Sequence, residues 1–167
     1  GKETEVWSCA SSWRPHKRLD ENIRYFLEFA PPDAILAVAG KGAATERLNH
    51  LNNKRIKFLN ELDYMSLLSL YKRSTTFVHL AYLDHCPNVV VDAQACGCRV
   101  ICSSSGGTSE IVENGTIVVE EDWDFKPCKL YSPPKINFNS FKHCSMTKNR
   151  NIINCAKKYN DVIKGVL

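Results

Sequence analysis

Two aspartates, Asp84 and Asp92, flank a stretch in which an apolar run gives way to a helix. Seven residues lie between them, and Pro87 stands near the predicted helix start, where its missing N–H costs nothing. The free N–H groups and the positive dipole end of a helix start attract anions, phosphate above all. Asn88 and Asp92 are four residues apart, so they share one helix face. A phosphate near Asn88 would leave Asp92 about one turn, roughly 5 Å, away, where a ribose hydroxyl could donate to it.

The elements that would position these residues alternate between strand and helix. Short apolar runs between turn residues predict strands, and apolar positions at helical spacing predict helices. The predicted strands cover residues 5–11, 34–40, 55–59, 76–81, 99–103 and 116–119. The predicted helices cover residues 17–30, 43–51 and 64–72, a stretch from Pro87 onward, and 108–112. This alternation predicts an α/β fold with a doubly wound parallel sheet (Rossmann-like), in which ligands bind beyond the carboxyl ends of the strands.

The predicted helices carry apolar stripes that should face the sheet. The stripe of the first helix contains Leu19, Ile23, Phe26 and Leu27, and that of helix 64–72 contains Met65, Leu68 and Tyr71. Residues 122–139 hold three prolines and little periodicity, which predicts a crossing over the surface. We therefore divide the chain into a Rossmann-like domain, residues 1–121, and a segment, residues 122–167, whose final helix at 151–167 packs on the same domain.

Composition limits the class of protein. The chain has 167 residues, 44% of them hydrophobic and 24% charged, which suits one globular domain. A net charge of +4 without a long basic run does not indicate nucleic-acid binding. No apolar stretch has the length of a transmembrane segment. The polar start is unlike a signal peptide. Eight cysteines occur without a pair of Cys-x-x-Cys units, so we expect reduced thiols, no metal site and a cytoplasmic location.

Several motifs in order resemble a known family. The run 84–97, which ends in Ala-Gln-Ala-Cys-Gly, and the run 105–112, which contains Gly-Gly-Thr-Ser-Glu, resemble the retaining nucleotide-sugar glycosyltransferases of the GT-B fold (glycosyl transferases group 1, family 4-like). That family has two glutamates separated by seven residues, then Ala-x-Ala-x-Gly, a strand, and Gly-Gly-x-x-Glu. Here Asp84 and Asp92 replace the glutamates. The resemblance extends from about residue 5 to about residue 120 and implies the C-terminal, donor-binding half of such an enzyme.

The resemblance implies a role for each charged residue. Lys17 and Arg14 would bind the donor diphosphate, although Arg14 is displaced, because Ser12 stands where the family has its arginine. Asp84 would lie near the donor sugar and the reacting centre. Asp92 would bind ribose, with a side chain about 1.5 Å shorter than glutamate. Cations are unfavourable at a helix N-terminus, which favours a functional reason for Lys17 and Arg14.

Further residues are expected around the bound nucleotide sugar. The expected binding residues, besides Asp92, are Asn88, Val89, Leu62, Gly40, Gly107 and His85. The glycines would allow close approach of backbone, and Leu62 would lie where the family builds its base pocket. The family needs no metal and no further cofactor for its chemistry.

Each assignment has a structural alternative. Lys17 and Arg14 would then be solvated charges at a helix start, and Asp84 would cap the helix near Pro87. His79, in an apolar strand, is more typical of a core histidine with a satisfied hydrogen bond.

The predicted function is transfer of a hexose from a UDP- or GDP-sugar to an acceptor that could be a glycan, a lipid or a protein. The acceptor site would come from an N-terminal domain in cis or from a partner subunit. The alternative is a non-catalytic nucleotide-binding or regulatory module that kept the half-fold. A different nucleotide-binding fold would require a Gly-x-Gly-x-x-Gly fingerprint after the first strand, and residues 8–13 contain none.

Overall fold

A computed structural model describes residues 3–120, 124–145, 161, 164 and 165. The described chain forms one seven-stranded sheet in the order β3-β2-β1-β4-β5-β6-β7. The strands are β1 (Val6–Ala10), β2 (Ile35–Ala39), β3 (Ile56–Asn60), β4 (Thr76–His79), β5 (Arg99–Ser103), β6 (Gly115–Val118) and β7 (Phe141–Cys144). The helices are α1 (Leu19–Phe29), α2 (Ala43–Leu48), α3 (Tyr64–Arg73), α4 (Asn88–Ala95) and α5 (Thr108–Ile111).

The first six strands are parallel, which confirms the predicted doubly wound α/β sheet. Strands β1 and β4 are neighbours although two strands separate them in the sequence. The chain therefore builds outward from β1 in one direction and from β4 in the other. The loops that follow β1 and β4 diverge at this point, and such a reversal opens the crevice in which α/β sheets bind their ligands.

The sheet buries apolar residues on both faces, as parallel sheets do. One core cluster combines alternate strand residues with α1, and includes Cys9, Leu36, Val38, Val78, Ile101, Ile23 and Phe26. The other cluster lies on the opposite face with α3 and α4, and includes Ala39, Phe77, Val100, Cys102, Tyr71 and Val90. Because strand side chains alternate between faces, the two clusters follow from the uninterrupted apolar strands.

The start of the first helix differs from its prediction. Residues Pro15–Lys17 form a 3-10 turn, Arg18 adopts a left-handed conformation with φ of +53°, and α1 begins at Leu19. The Arg18 N–H donates to the Pro15 carbonyl over 3.1 Å, which ends the turn. A continuous helix from Lys17 is therefore wrong. This break separates the loop that bears Lys17 from the rigid helix behind it.

Two predicted apolar stripes are also partly wrong. Leu27 is 40% exposed, whereas Asn22 and Tyr25 of the same helix are buried. In α3 the side chain of Met65 is exposed and that of Tyr71 is buried. In α1 the buried face is shifted away from Leu27 and towards Asn22 and Tyr25, whereas in α3 Tyr71 is the residue of the predicted stripe that is fully buried.

Strand β7 was absent from the predicted elements. It pairs antiparallel with β6, so that Phe141 lies opposite Val118 and Cys144 opposite Gly115. The strand is short, and only its first and last residues are partly buried, so it lacks the alternation that predicts a strand. The ring of Phe141 packs on those of Tyr25 and Phe29 of α1. This packing fixes the edge strand, and the sheet is mixed rather than wholly parallel.

Residues 124–140 contain neither helix nor strand and are mostly exposed, with Ile136 and Phe138 buried against the core. Strand β4 ends at His79, two residues before its predicted end, because the Leu80 N–H donates to the Asn22 side chain over 2.9 Å.

The predicted helix 151–167 lies outside the described residues, apart from three positions. Within the described part of the chain, no helix combines the length and apolarity needed to cross a membrane.

Candidate functional site

The crevice between β1 and β4 brings two predicted residues into contact. The loop after β1 carries Lys17, and the loop after β4 carries Asp84. Lys17 Nζ donates to Asp84 Oδ2 over 2.6 Å, and the two side chains are 20% and 13% exposed. A lysine and a carboxylate thus share a partly buried place at the carboxyl ends of the strands.

A third residue, His79, joins this pair. It is the last residue of β4, and its Nε2 lies 2.9 Å from the same Oδ2 atom of Asp84. Burial lowers the pKa of His79, although Asp84 acts to raise it. The imidazole is therefore neutral at pH 7, and the predicted core histidine with a satisfied hydrogen bond is confirmed. Its partner, however, is a candidate site residue rather than a group of the core.

The Asp84 carboxyl is ionised. Burial on its own would raise its pKa, but the hydrogen bonds from His79 and Lys17 outweigh burial and hold the pKa of Asp84 well below its usual range. The alternative of a helix cap is wrong, because Pro87 is the N-cap residue of α4 and no side chain caps that helix start. The Asp84 carboxylate instead accepts hydrogen bonds from Lys17 and His79.

The backbone around Asp84 is held by the loop after β5. Gly107 N–H donates to the Asp84 carbonyl over 2.8 Å. A Cβ atom on Gly106 would approach that carbonyl oxygen to 2.4 Å, and one on Gly107 would approach the His85 carbonyl oxygen to 2.2 Å. Only glycines fit this contact, so the pair Gly106-Gly107 sets the position of the Asp84 loop.

Three other predicted residues line one cleft nearby. Gly40, Leu62 and Val89 lie around a cavity of about 250 Å³, together with Ser11 and Ser12 of the loop after β1. The cleft lies at the carboxyl ends of β1, β2 and β3. Its lining combines apolar side chains with the backbone of tight loops, which suits a flat, partly polar ring.

Gly40 and Trp13 hold the loops beside this cleft in place. Gly40 has φ of +101°, and a Cβ atom there would lie 1.9 Å from the Ser11 carbonyl oxygen. Trp13 is buried, and its indole Nε1 donates to the Ala39 carbonyl over 2.8 Å. This bond ties the loop after β1 to the end of β2. Trp13 was not among the predicted residues, although an aromatic residue within a polar loop is a signal that could have drawn attention to it.

The start of α4 presents the remaining predicted residues. Asn88 and Val89 are its first two residues, and the N–H groups of a first turn have no acceptor within the helix. Asn88 and His85 are exposed, and Asp92 is half-buried on the next turn. The side chain of Asp92 accepts no hydrogen bond from the described residues. It therefore remains available to a ligand.

Arg14 lies outside this arrangement. Its side chain is exposed and lines a different groove, of about 600 Å³, with Arg24, Arg47 and Lys135. The structure thus brings Lys17, Asp84 and Gly107 together, and Gly40, Leu62 and Val89 together, but it places Arg14 among the helix α1 and α2 residues. Among the described residues, no three His, Cys, Asp or Glu side chains are arranged to hold a metal ion.

A sheet that reverses between β1 and β4, with a cation, a carboxylate and a helix start at the reversal, is an arrangement typical of α/β domains that bind nucleotides. The family model described as Glycosyl transferases group 1 matches residues 2–125. The chain belongs to this family, and its Rossmann-like sheet matches one half of the GT-B fold, as predicted from the sequence.

One known enzyme is similar to this chain in amino-acid sequence. The GDP-mannose-dependent monoacylated alpha-(1-6)-phosphatidylinositol monomannoside mannosyltransferase of Corynebacterium glutamicum is 31% identical over 133 residues, which cover 72% of this chain and 35% of that protein. The chain therefore spans about a third of the length of this relative.

Solved structures share the fold at lower identity. HepE of Anabaena, in complex with UDP-glucose, matches with a TM-score of 0.61 and 21% identity over 72% of this chain and 36% of that one. The sucrose-phosphate synthase of Thermosynechococcus elongatus matches with a TM-score of 0.62 and 21% identity over 70% and 33% of the two chains.

Proposed function

We propose that this chain is the donor-binding half of a retaining glycosyltransferase that transfers a hexose from a UDP- or GDP-sugar. The observation that carries the proposal is the meeting of Lys17 with Asp84 where the strand order reverses. A cation at this place can bind a diphosphate, and a carboxylate can accept hydrogen bonds from a sugar. Both side chains belong to loops at the carboxyl ends of their strands, where a nucleotide would reach them together.

The relatives support this choice of donor class. The curated mannosyltransferase is named for its dependence on GDP-mannose, and the Anabaena structure contains UDP-glucose. Both donors consist of a nucleoside diphosphate and a hexose. The proposal therefore names the shared chemistry and leaves the choice of base to experiment.

The charge arrangement fits the proposed reaction. The bond between the anomeric carbon and the diphosphate oxygen breaks, and the electron pair stays on that oxygen. A bond forms between the anomeric carbon and an acceptor oxygen, whose proton passes to the departing diphosphate. Lys17 and the free N–H groups at the start of α4 would stabilise the charge that develops on the diphosphate. This assignment needs no metal ion.

The two nearby features suit the nucleoside. The cleft lined by Gly40, Leu62 and Val89 would hold the base between loop backbone and apolar side chains. Asp92, one turn inside α4, would accept from the ribose hydroxyls, directly or through a water. The acceptor would bind to an N-terminal GT-B domain, in cis or from a partner subunit, since this chain spans only a third of its relatives.

Calorimetric titration with UDP, GDP and ADP tests the proposal. We expect the chain to bind one uridine or guanosine diphosphate selectively. Lys17→Ala should weaken that binding at least tenfold by removing a charge-assisted contact, and Asp92→Ala should weaken it by removing the ribose contact. Lys72→Ala is the matched control, because Lys72 is an exposed lysine in the last turn of α3, close to the amino end of β4 and so away from the crevice.

Three outcomes are informative. Selective binding that Lys17→Ala weakens and Lys72→Ala does not would support the donor-binding half. Equal losses in both lysine variants would indicate attraction by net charge and contradict the proposed site. Selective binding without sugar transfer, once the rest of the protein is present, would favour the non-catalytic module, which Ser12 in place of the family arginine also favours.

A further inference from the structure

The hydrogen bonds to Asp84 are concentrated on one oxygen. Lys17 Nζ and His79 Nε2 both contact Oδ2, at 2.6 and 2.9 Å, whereas Oδ1 accepts no hydrogen bond from the described residues. We call these three residues the Asp84 cluster. Its two donors differ in kind, because one is a charged lysine on a loop and the other is a buried imidazole at a strand end.

His79 can act only as a fixed, neutral donor. Its side chain is 4% exposed and stacks on Phe77, with 6.2 Å between the ring centroids. Because the imidazole is neutral and its Nε2 faces a carboxylate, Nε2 must carry the hydrogen. Strand β4 holds the ring in place, so His79 cannot follow a ligand into the crevice.

Lys17, in contrast, is free to change partner. It lies in the 3-10 turn before Arg18, and its ammonium group ends a flexible four-carbon stem. A diphosphate in the crevice carries more negative charge than one carboxylate, so it would draw Lys17 away from Asp84. The carboxylate would then stay partly buried without its cation, which is unfavourable unless another donor remains.

We propose that His79 is a positioning residue, which keeps Asp84 hydrogen-bonded and oriented when Lys17 leaves the carboxylate for the diphosphate of the donor. This inference rests on the proposed function for the identity of the ligand. The bond from His79 to Oδ2 leaves Oδ1 as the acceptor for a ligand hydroxyl. His79 therefore matters more to the bound state, where it is the remaining donor, than to the free state, where Lys17 shares the carboxylate.

A stability cycle tests this role without any ligand. Lys17→Met imitates the departure of Lys17 from the carboxylate. In His79→Gln the amide N–H can lie near the position of Nε2, whereas in His79→Asn it falls about 1.5 Å short. The unfolding equilibrium of the whole chain is measured by urea for both His79 variants, with and without Lys17→Met.

We expect His79→Asn to reduce the folding equilibrium constant at least about fivefold more in the Lys17→Met background than in the wild-type background. His79→Gln should show little such difference, because it restores the donor. Equal costs of His79→Asn in the two backgrounds would overturn the inference and leave His79 as a core residue only.

Titration with UDP and GDP gives the second measurement. For the nucleotide that the wild-type chain binds, His79→Asn should weaken binding about tenfold, or about 1.4 kcal/mol, and His79→Gln about twofold at most. Equal affinities of the Asn and Gln variants would contradict the role of His79. If the wild-type chain binds neither nucleotide, the proposed function fails, and the stability cycle still decides whether His79 holds Asp84.

Discussion

Arg18 and Glu120 form a bidentate ion pair between the loop after β1 and the segment that follows β6. The two terminal nitrogens of Arg18 each donate to one carboxylate oxygen of Glu120, both over 2.8 Å. The side chains are 1% and 9% exposed. Arg18 also donates to the Pro134 carbonyl, and its guanidinium lies over the Tyr82 ring. One arginine thus joins the loop after β1, the end of β6 and residues 124–140.

Arg18→Lys should destabilise the domain by about 1–3 kcal/mol, because it keeps the charge but leaves buried acceptors without a donor. Lysine cannot donate to both carboxylate oxygens at once, and Glu120 would stay buried with an incomplete partner. Arg47→Lys is the matched control, since Arg47 pairs with Asp20 on the surface and should cost less than about 1 kcal/mol. Urea unfolding measures both. Similar costs for the two substitutions would show that the buried pair contributes no more than an exposed one.

Gly40→Ala should be far more destabilising than Gly97→Ala. Both glycines have positive φ, of +101° and +95°, so alanine is strained at either position. Only at Gly40 would the new Cβ meet another atom, the Ser11 carbonyl oxygen at 1.9 Å, whereas nothing lies within 4 Å at Gly97. We expect a loss of about 1–2 kcal/mol at Gly97 and of more than about 4 kcal/mol at Gly40.

Thermal unfolding of the two glycine variants checks this expectation. A midpoint for Gly40→Ala close to that of Gly97→Ala would mean that the loop after β1 moves aside easily. The backbone that lines the cleft near Gly40 would then be easily displaced.

Stability should fall in acid through Asp84. The pKa of Asp84 is lowered in the folded state, so between the folded and unfolded pKa values the unfolded chain binds more protons. The stabilisation is present above the unfolded pKa, about 3.9, and is lost as the pH falls below it. The difference in unfolding free energy between wild type and Asp84→Asn should therefore shrink from pH 5 to pH 2. Asp33→Asn, at an exposed turn, is the control, and a constant difference for Asp84→Asn would contradict the prediction.

Alkylation of the native chain should discriminate among the cysteines. Cys86 and Cys128 are exposed, whereas Cys98 and Cys102 are buried. Burial raises the pKa of the Cys98 thiol to about 11 and that of the Cys102 thiol to about 12, so almost no thiolate is present at pH 8. Mass spectrometry of alkylated peptides should find Cys86 and Cys128 labelled first. Labelling of Cys102 at the rate of Cys86 would contradict the buried placement.

The sequence predicted those parts of the molecule that depend on local pattern. Six strands and the order of the helices follow from apolar runs and periodicity, and the glycines at positions 40, 106 and 107 mark tight loops correctly. The sequence predicts that Lys17 and Asp84 both lie at the carboxyl ends of strands, but their direct contact is seen only in the structure, where β1 and β4 are neighbours.

The features that were missed depend on partners distant in sequence. The first helix begins only after Arg18, whose side chain binds Glu120, 102 residues later in the sequence. Strand β7 exists because β6 offers an open edge and α1 offers aromatic rings. His79 looked like an ordinary core residue, since nothing in its strand indicates that the ring touches Asp84. A period of two or 3.6 residues carries no information about such contacts.

The outer strands of the sheet have a consequence for self-association. Unpaired strand edges allow one copy of a protein to add its strands to another. At one side, among the described residues, the edge strand is β7, which has four residues and carries exposed Lys142. At the other side, in the part of the chain that the structure describes, β3 carries exposed Lys57 on a strand of five residues. Two copies joined at this edge would have to accommodate the ammonium groups of both lysines, so charge and shortness together protect the domain from edge-to-edge aggregation.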